Sequence, residues 1–217
     1  MKFINLLSIL TLGTISTGAA ADRNPLSYAS KPAGTYVTPK ISNTTTLLDF
    51  IKSRNDLTTL AKVLDGSAGF TEAFDTVPTW DFTFFAPSND AFEKHTGQYF
   101  NTFAPTPKGK WWLGNLVQHH YVPNSQLLTS VFNKTATRIQ TGSYLYVGTQ
   151  VKNGQVWLND AAAVTEGDLR VTRVCSGIVH IIDRVLDPSA QLFEADKTKA
   201  SQKFIAGSCS DTSLPYC

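Results

Sequence analysis

Neither sign of charge dominates this 217-residue chain: 19 Lys and Arg stand against 17 Asp and Glu, a net charge of +2. A nucleic-acid binder needs a basic excess gathered on one face, and a polybasic membrane surface or an acidic tail needs a block of one sign. The composition offers neither, so nucleic-acid partners are not expected. Catalytic signatures are missing as well. There is no Gly-x-Ser-x-Gly elbow, no His-Glu-x-x-His helix and no Gly-x-Gly-x-x-Gly loop. The four histidines are His95, His119, His120 and His180, and the one adjacent pair, His119-His120, points ~100° apart on a helix, a poor chelate. No Asp-rich calcium loop is visible. The expectation is a protein without catalytic residues, metal or cofactor.

Long hydrophobic runs are scarce, with one short exception at the N-terminus. Lys2 precedes an apolar stretch from Phe3 to Ile15, and Gly18-Ala19-Ala20-Ala21 supplies the small residues of a cleavage site. This is the pattern of a secretory signal peptide over residues 1–21, and the run is too short for a membrane span. Cysteine is sparse too: Cys175, Cys209 and Cys217. In a secreted chain an odd number leaves one thiol unpaired or bonded to another chain. Cys209 and Cys217 lie close together in a polar tail that can bend, and a short loop of this kind is stabilised by roughly 2.5 kcal/mol on closure. Cys175 sits among Val171, Val174 and Ile178, where it reads as a small buried apolar residue or as a bridge to the tail. Two sequons, Asn43-Thr44-Thr45 and Asn133-Lys134-Thr135, lie in polar surroundings and are candidate glycosylation sites.

With 42% hydrophobic and 17% charged residues, the remainder can bury a core. Residues 22–42, with Pro25, Pro32 and Pro39, read as an extended arm. Thr46 and Asp49 form a capping box ahead of Leu47, Leu48 and Ile51. Asp56 then reads as the N-cap of a helix carrying Leu57, Leu60, Ala61 and Leu64, with Gly66 as its stop. Phe70, Ala73 and Phe74 suggest a shorter helix. Asp81 to Ala86 is a strand ended by Pro87, and Ser88 caps a turn carrying Asp90. Residues 110–120 make a helix with Trp112, Leu113, Leu116, Val117 and His120 on its apolar face. From residue 137 the periodicity turns to strands: a hairpin around Asn153-Gly154, an alternating segment from Leu169 to Val174, and a buried strand from Ile178 to Ile182. Asp187-Pro188 can cap a final helix toward Gly207. Helices first and strands later imply an α+β fold of a single domain.

Three ordered motifs then carry a resemblance. Thr83 to Phe92, which includes Pro87, Ser88, Asn89 and Asp90, resembles the first signature block of the fasciclin-like domain family. Gly177 to Leu186, with His180 and Asp183, resembles its second block, and Leu116 to Val122 resembles the Tyr-His segment between them. The resemblance spans residues 43–188, leaving 189–217 as a C-terminal helix and Cys-containing tail. It implies a wedge-shaped β-sandwich with a helical layer, in a single-domain secreted protein of fungal type, active in adhesion at cell walls, matrix or cell surfaces. Its partners would be extracellular proteins or polysaccharides; apart from the resemblance, the arm, the tail and the odd cysteine leave weak self-association of the chain open.

His119 stands where the family has Tyr, and Tyr121 follows the His pair. On the residues alone, His119 and Tyr121 are expected to reach solvent while His120 faces the core; the resemblance to the family's Tyr-His segment is what makes the three a candidate binding segment. His180 shares strand parity with Ile178 and Ile182, and Asp183 with Val179 and Ile181, so both read as buried structural residues. A second reading takes Phe82, Phe84, Phe85, Trp111, Trp112, Tyr144, Tyr146 and Trp157 as the lining of a cleft for an apolar molecule, a lipid or a pigment. The plainer alternative is that they fill the core.

Overall fold

A computed structural model of the chain describes residues 46–67, 69–78, 80–171, 177–188 and 198–203. The first helix, α1 (Leu47–Lys52), begins with the expected capping box: Thr46 Oγ1 accepts from Asp49 N–H, and the Asp49 carboxylate accepts from Thr46 N–H. The second, α2 (Thr58–Gly66), starts one residue later than expected, after a tight 3-10 turn over Asn55–Leu57. Asp56 does not cap it. Its carboxylate instead receives the Arg54 guanidinium at 2.9 and 2.8 Å. That guanidinium also binds Glu166 and tethers the helices to the sheet. The cap comes from a distant part of the chain, because Asn89 Oδ1 accepts from Thr59 N–H (2.8 Å) and from the Thr58 hydroxyl.

Next come α3 (Phe70–Phe74), β1 (Phe82–Pro87), α4 (Asn89–His95), α5 (Gly97–Phe103) and α6 (Pro107–His119). Thr106 caps α6 through Gly109 N–H, with Pro107 in the first turn where no amide is needed. Gly109 is required there: a Cβ would lie 1.8 Å from the Phe103 carbonyl oxygen. The strands β2 (Tyr121–Pro123), β3 (Thr137–Gln140), β4 (Tyr146–Lys152), β5 (Gln155–Leu158), β6 (Ala162–Arg170), β7 (Gly177–Ile182) and β8 (Thr198–Lys199), with a 3-10 turn over Thr129–Val131 between β2 and β3, complete the described elements. Asn153 and Gly154, at φ 53° and 80°, make the expected left-handed hairpin turn between β4 and β5.

The strands hydrogen-bond in the order β2-β1-β7-β6-β5-β4-β3-β8. β1 pairs in parallel with β7, Phe82 opposite Gly177 through Pro87 opposite Ile182, and β3 pairs in parallel with β8; the other pairs are antiparallel. β6 belongs to both halves. Its first residues pair with β5 and its later ones with β7, across two irregularities that bend it from one sheet into the other. The strand expected over Leu169–Val174 thus lies earlier, at Ala162–Arg170, and residues 172–176 are outside the described set. Of the helix expected after Pro188, residues 189–197 are also outside it, and Thr198–Lys199 is a strand.

Two cores result. Phe82, Phe84, Ala86, Val179 and Ile181 face one way and pack against Leu47, Ile51, Leu60, Leu64, Phe74 and Leu116 of the helices. Phe85 and Ile182 face the other way and meet Val122, Leu127, Ile139, Val147, Leu158 and Val164 between the sheets. This is the α+β sandwich with a helical layer that the periodicity and the family resemblance imply. Each such side chain contributes roughly 1.5–3 kcal/mol on burial.

Candidate functional site

Helix α6 ends where its apolar face runs out, and the next residues turn into β2. His120 makes the corner. Its Nδ1–H donates to Leu116 O (2.7 Å) and its Nε2 accepts from Leu186 N–H (2.9 Å). Desolvation pushes the imidazole down to about 3, so it is neutral and both ring nitrogens are used in holding the helix end to the segment after β7.

The expectation that His119 reaches solvent is overturned: it is 0% exposed. The loop from Thr141 to Leu145, between β3 and β4, folds over the end of α6 and covers it. Gly142 N–H donates to Tyr121 O (2.7 Å), and the Thr141 and Ser143 hydroxyls lie 3.1 and 3.0 Å from His119 Nδ1. Nε2 has no partner among the described residues, and burial pushes this ring down to about 4. His119 therefore positions the loop and meets no solvent itself. Tyr121 is half-buried. Its ring stacks between Phe74 and Phe82, and its hydroxyl accepts from Trp80 Nε1–H at 2.6 Å. Burial pushes the phenol up to about 12, which keeps it neutral.

The surface of this corner is formed by residues the motifs do not include. Trp80 is 45% exposed beside the Tyr121 hydroxyl, and the loop held by His119 displays Tyr144 (51%) and Leu145. Tyr144 has φ 65°, a left-handed conformation that bulky residues avoid. The sequence alone places Tyr144 in the lining of an apolar cleft or in the core. The Gly142-Ser143 pair before it is the turn signal that marks it as a loop residue. Of the aromatics considered as a cleft lining, Phe82, Phe84 and Phe85 fill the two cores and Trp111 stands exposed.

The remaining motif residues lie elsewhere and perform structural work. Pro87 ends β1 opposite Ile182, Ser88 Oγ accepts from Ala91 N–H, Asn89 caps α2, and Asp90 pairs with Lys94 one helical turn on. His180 Nε2–H donates to Leu127 O (2.7 Å), Nδ1 accepts from Asp168 N–H, and the ring stacks on Phe85. Desolvation lowers its pKa. Asp183 lies one residue past the end of β7, half-buried in a bend, and so outside the strand alternation. Its Oδ1 accepts from Ala163 N–H at 2.7 Å. Asn133 is exposed, with Oδ1 accepting from Thr135 N–H. Asn43, Cys175, Cys209, Cys217 and the segment read as a signal peptide lie outside the described residues. Among the described residues no cluster of three His, Cys, Asp or Glu is placed to hold a metal ion, and no helix is long and apolar enough to cross a membrane.

A parallel β1–β7 pair at the centre, a helical layer on one face and a second sheet on the other define the class of fold. The sequence model of the fasciclin domain matches residues 55–188, well over half of the chain, and the protein belongs to the fasciclin domain family. Among solved structures, a FAS1 domain pair from the insect cell adhesion molecule Fasciclin I superposes with a TM-score of 0.55 at 18% identity. The match covers 71% of this chain and 53% of that one, so the chain spans about half the length of the solved pair. Fasciclin domains occur in extracellular, adhesion-type proteins and are generally non-catalytic.

Proposed function

We propose that this chain is a secreted glycoprotein that attaches to cell-wall, matrix or cell-surface partners by non-covalent contact and performs no turnover. The observation that carries the reading is the exposed, conformationally strained Tyr144, held in place by the buried His119 hydroxyl network and accompanied at the same corner by Trp80. Strain of this kind persists only where surrounding structure over-determines it, and it concentrates at binding surfaces. Flat exposed aromatic rings suit the apolar faces of sugars and the side chains of other proteins, so the partner is an extracellular polysaccharide or protein. The family and the N-terminal signal pattern support the location. The exposed Asn133, together with Asn43, is proposed to carry the glycan, and Cys209 is proposed to bridge to Cys217.

A single shallow contact of this sort is weak, and many copies on one surface bind far better than one in solution. Beads coated with the secreted protein should therefore be captured by cell walls much more strongly than soluble protein is retained. Trp80→Ala and Tyr144→Ala should each lower capture by roughly fivefold or more, about the loss of 1 kcal/mol per contact multiplied across copies. Their melting temperatures should stay near the parental value. Equal capture of coated and blank beads would overturn the adhesive reading. Intact mass before and after deglycosylation, and peptide mapping without reduction, test the glycan and the disulfide.

A further inference from the structure

The sheet has two ends, β2 and β8, and the residues after β8 fasten one to the other. Ala200 N–H donates to Arg138 O (2.8 Å), extending the pairing of β8 with β3. The Gln202 side chain then takes the place of a further ladder residue: its Oε1 accepts from Gln140 N–H (2.6 Å), and its Nε2–H donates to Gln140 O (3.0 Å). Lys203 N–H reaches Ser125 Oγ (2.9 Å), two residues past β2, and Lys203 Nζ pairs with Asp81 just ahead of β1. Residues 198–203 thus form a strap that closes the seam of the sandwich, although the family match ends at residue 188.

The composition of the strap makes it removable. Two residues pair as strand, Ala200 is its only apolar residue packed against the core, and the rest of the grip consists of the Ala200 and Lys203 amides, one side-chain amide and an ion pair whose lysine is 69% exposed. Without it, Gln140 N–H, Gln140 O and Arg138 O become open ladder positions on an edge strand, which is a template for another extended segment. The segment that fits that edge best is the one already seated there, and every copy of the chain carries it. Residues 189–197 can span ~30 Å when extended, far enough to reach a neighbour.

We propose that the 198–203 strap exchanges between copies, each strap closing the β3 edge of the other. Exchange of an identical element is a low-cost route to a dimer, since no new contact has to be invented. It would supply the second attachment point that a weak adhesive needs, but it does not depend on the adhesive reading.

The test uses two full-length secreted variants, Thr137→Cys and Thr198→Cys. These positions face each other in the β3–β8 register. When the two proteins are mixed and mildly oxidised, a disulfide between 137 and 198 can form only between two copies, and non-reducing peptide mapping identifies it. The linked peptide should appear, and its initial rate of formation should rise ~tenfold for a tenfold rise in the concentration of one variant, as a bimolecular step requires. A double variant, Thr137→Cys with Thr198→Cys, should close on itself in dilute solution at a rate independent of concentration. If the double variant closes and the mixture stays unlinked at every concentration, strap exchange is overturned. If the double variant fails to close, the strap does not sit on β3 and the proposal falls with it. Bead capture is a separate measurement, so loss of one reading leaves the other standing.

Discussion

The two faces of the central strands are built by different rules. Toward the helices, β1 and β7 present Phe82, Phe84, Ala86, Val179 and Ile181, all apolar. Toward the second sheet the same strands present Phe85 and Ile182 beside Thr83 and His180, both 0% exposed. The polar pair is fully engaged. Thr83 Oγ1–H donates to Ser125 O and accepts from Leu127 N–H, each at 2.8 Å, and His180 Nε2–H donates to Leu127 O. Regular helices satisfy their own backbone, so hydrocarbon suffices to hold them. The segment from Asn124 to Phe132 crosses the sandwich without a ladder, and its amides and carbonyls need side-chain partners. Polar residues are buried where an irregular segment must be held.

This contrast can be broken by measurement, and the largest effect should come from the apolar face. Phe84→Ala removes a fully buried ring packed edge-on against Phe74, and should cost about 3–5 kcal/mol in denaturant unfolding. On the other face, His180→Ala leaves Leu127 O and Asp168 N–H without their partner, and should cost roughly 1–3 kcal/mol for the better-buried of the two. A Phe84→Ala cost below that of His180→Ala would reverse the comparison. Asp183→Ala should cost about 1 kcal/mol, since it removes a half-buried carboxylate and leaves one amide, Ala163 N–H, without its acceptor.

Acid sharpens the same contrast, because the buried imidazoles of His119, His120 and His180 lie on the polar side or at the helix corner. Their folded values are depressed, to about 4 for His119 and about 3 for His120, from an ordinary 6.5. Between those limits the unfolded chain binds protons that the folded chain refuses, so stability present above pH 6.5 is lost as pH falls toward 4 and then 3. The slope should be on the order of 1 kcal/mol per pH unit for each imidazole. Replacing His119 with Gln should flatten the fall of the melting temperature between pH 6.5 and 4. An unchanged slope would mean that His119 is protonated in the native state.

The smallest effect concerns the surface. Tyr144→Gly relieves a left-handed conformation at the cost of a more flexible unfolded chain, and should raise stability by no more than about 1 kcal/mol. The same variant should weaken cell-wall capture. A gain in melting temperature together with a loss of capture would show stability and binding opposed at this residue.

The apolar face was largely legible in the sequence. The spacing of Leu60 and Leu64, the run Phe82–Ala86 and the near-continuous Ile178–Ile182 identify elements by short-range pattern, and Asn153-Gly154 marks its hairpin unaided. What escaped depends on partners far along the chain. Asp56 matches an N-cap by type, yet Arg54 takes its carboxylate and Asn89 caps the helix from a distance of about thirty residues. His119 matches an exposed helix position, yet the loop at 141–145 covers it. The two irregularities in β6, with Asp168 at φ 61°, erase the alternation that would have marked its limits. The corner proposed for binding was read only in part, since Tyr121 belongs to it but Trp80 and Tyr144 carry no motif.

The parallel pairing of β1 with β7 has a consequence for the birth of the molecule. Phe82 and Gly177 are 95 residues apart in sequence and adjacent in the sheet. A ribosome adding ~5–20 residues per second needs roughly 5–20 s to make the intervening chain. During that interval the helices have been synthesised and their apolar faces have no completed strand pair to pack against. Contacts between such distant residues also close slowly. The apolar face of the helical layer therefore stays without its central strand pair until residues 177–182 have been made.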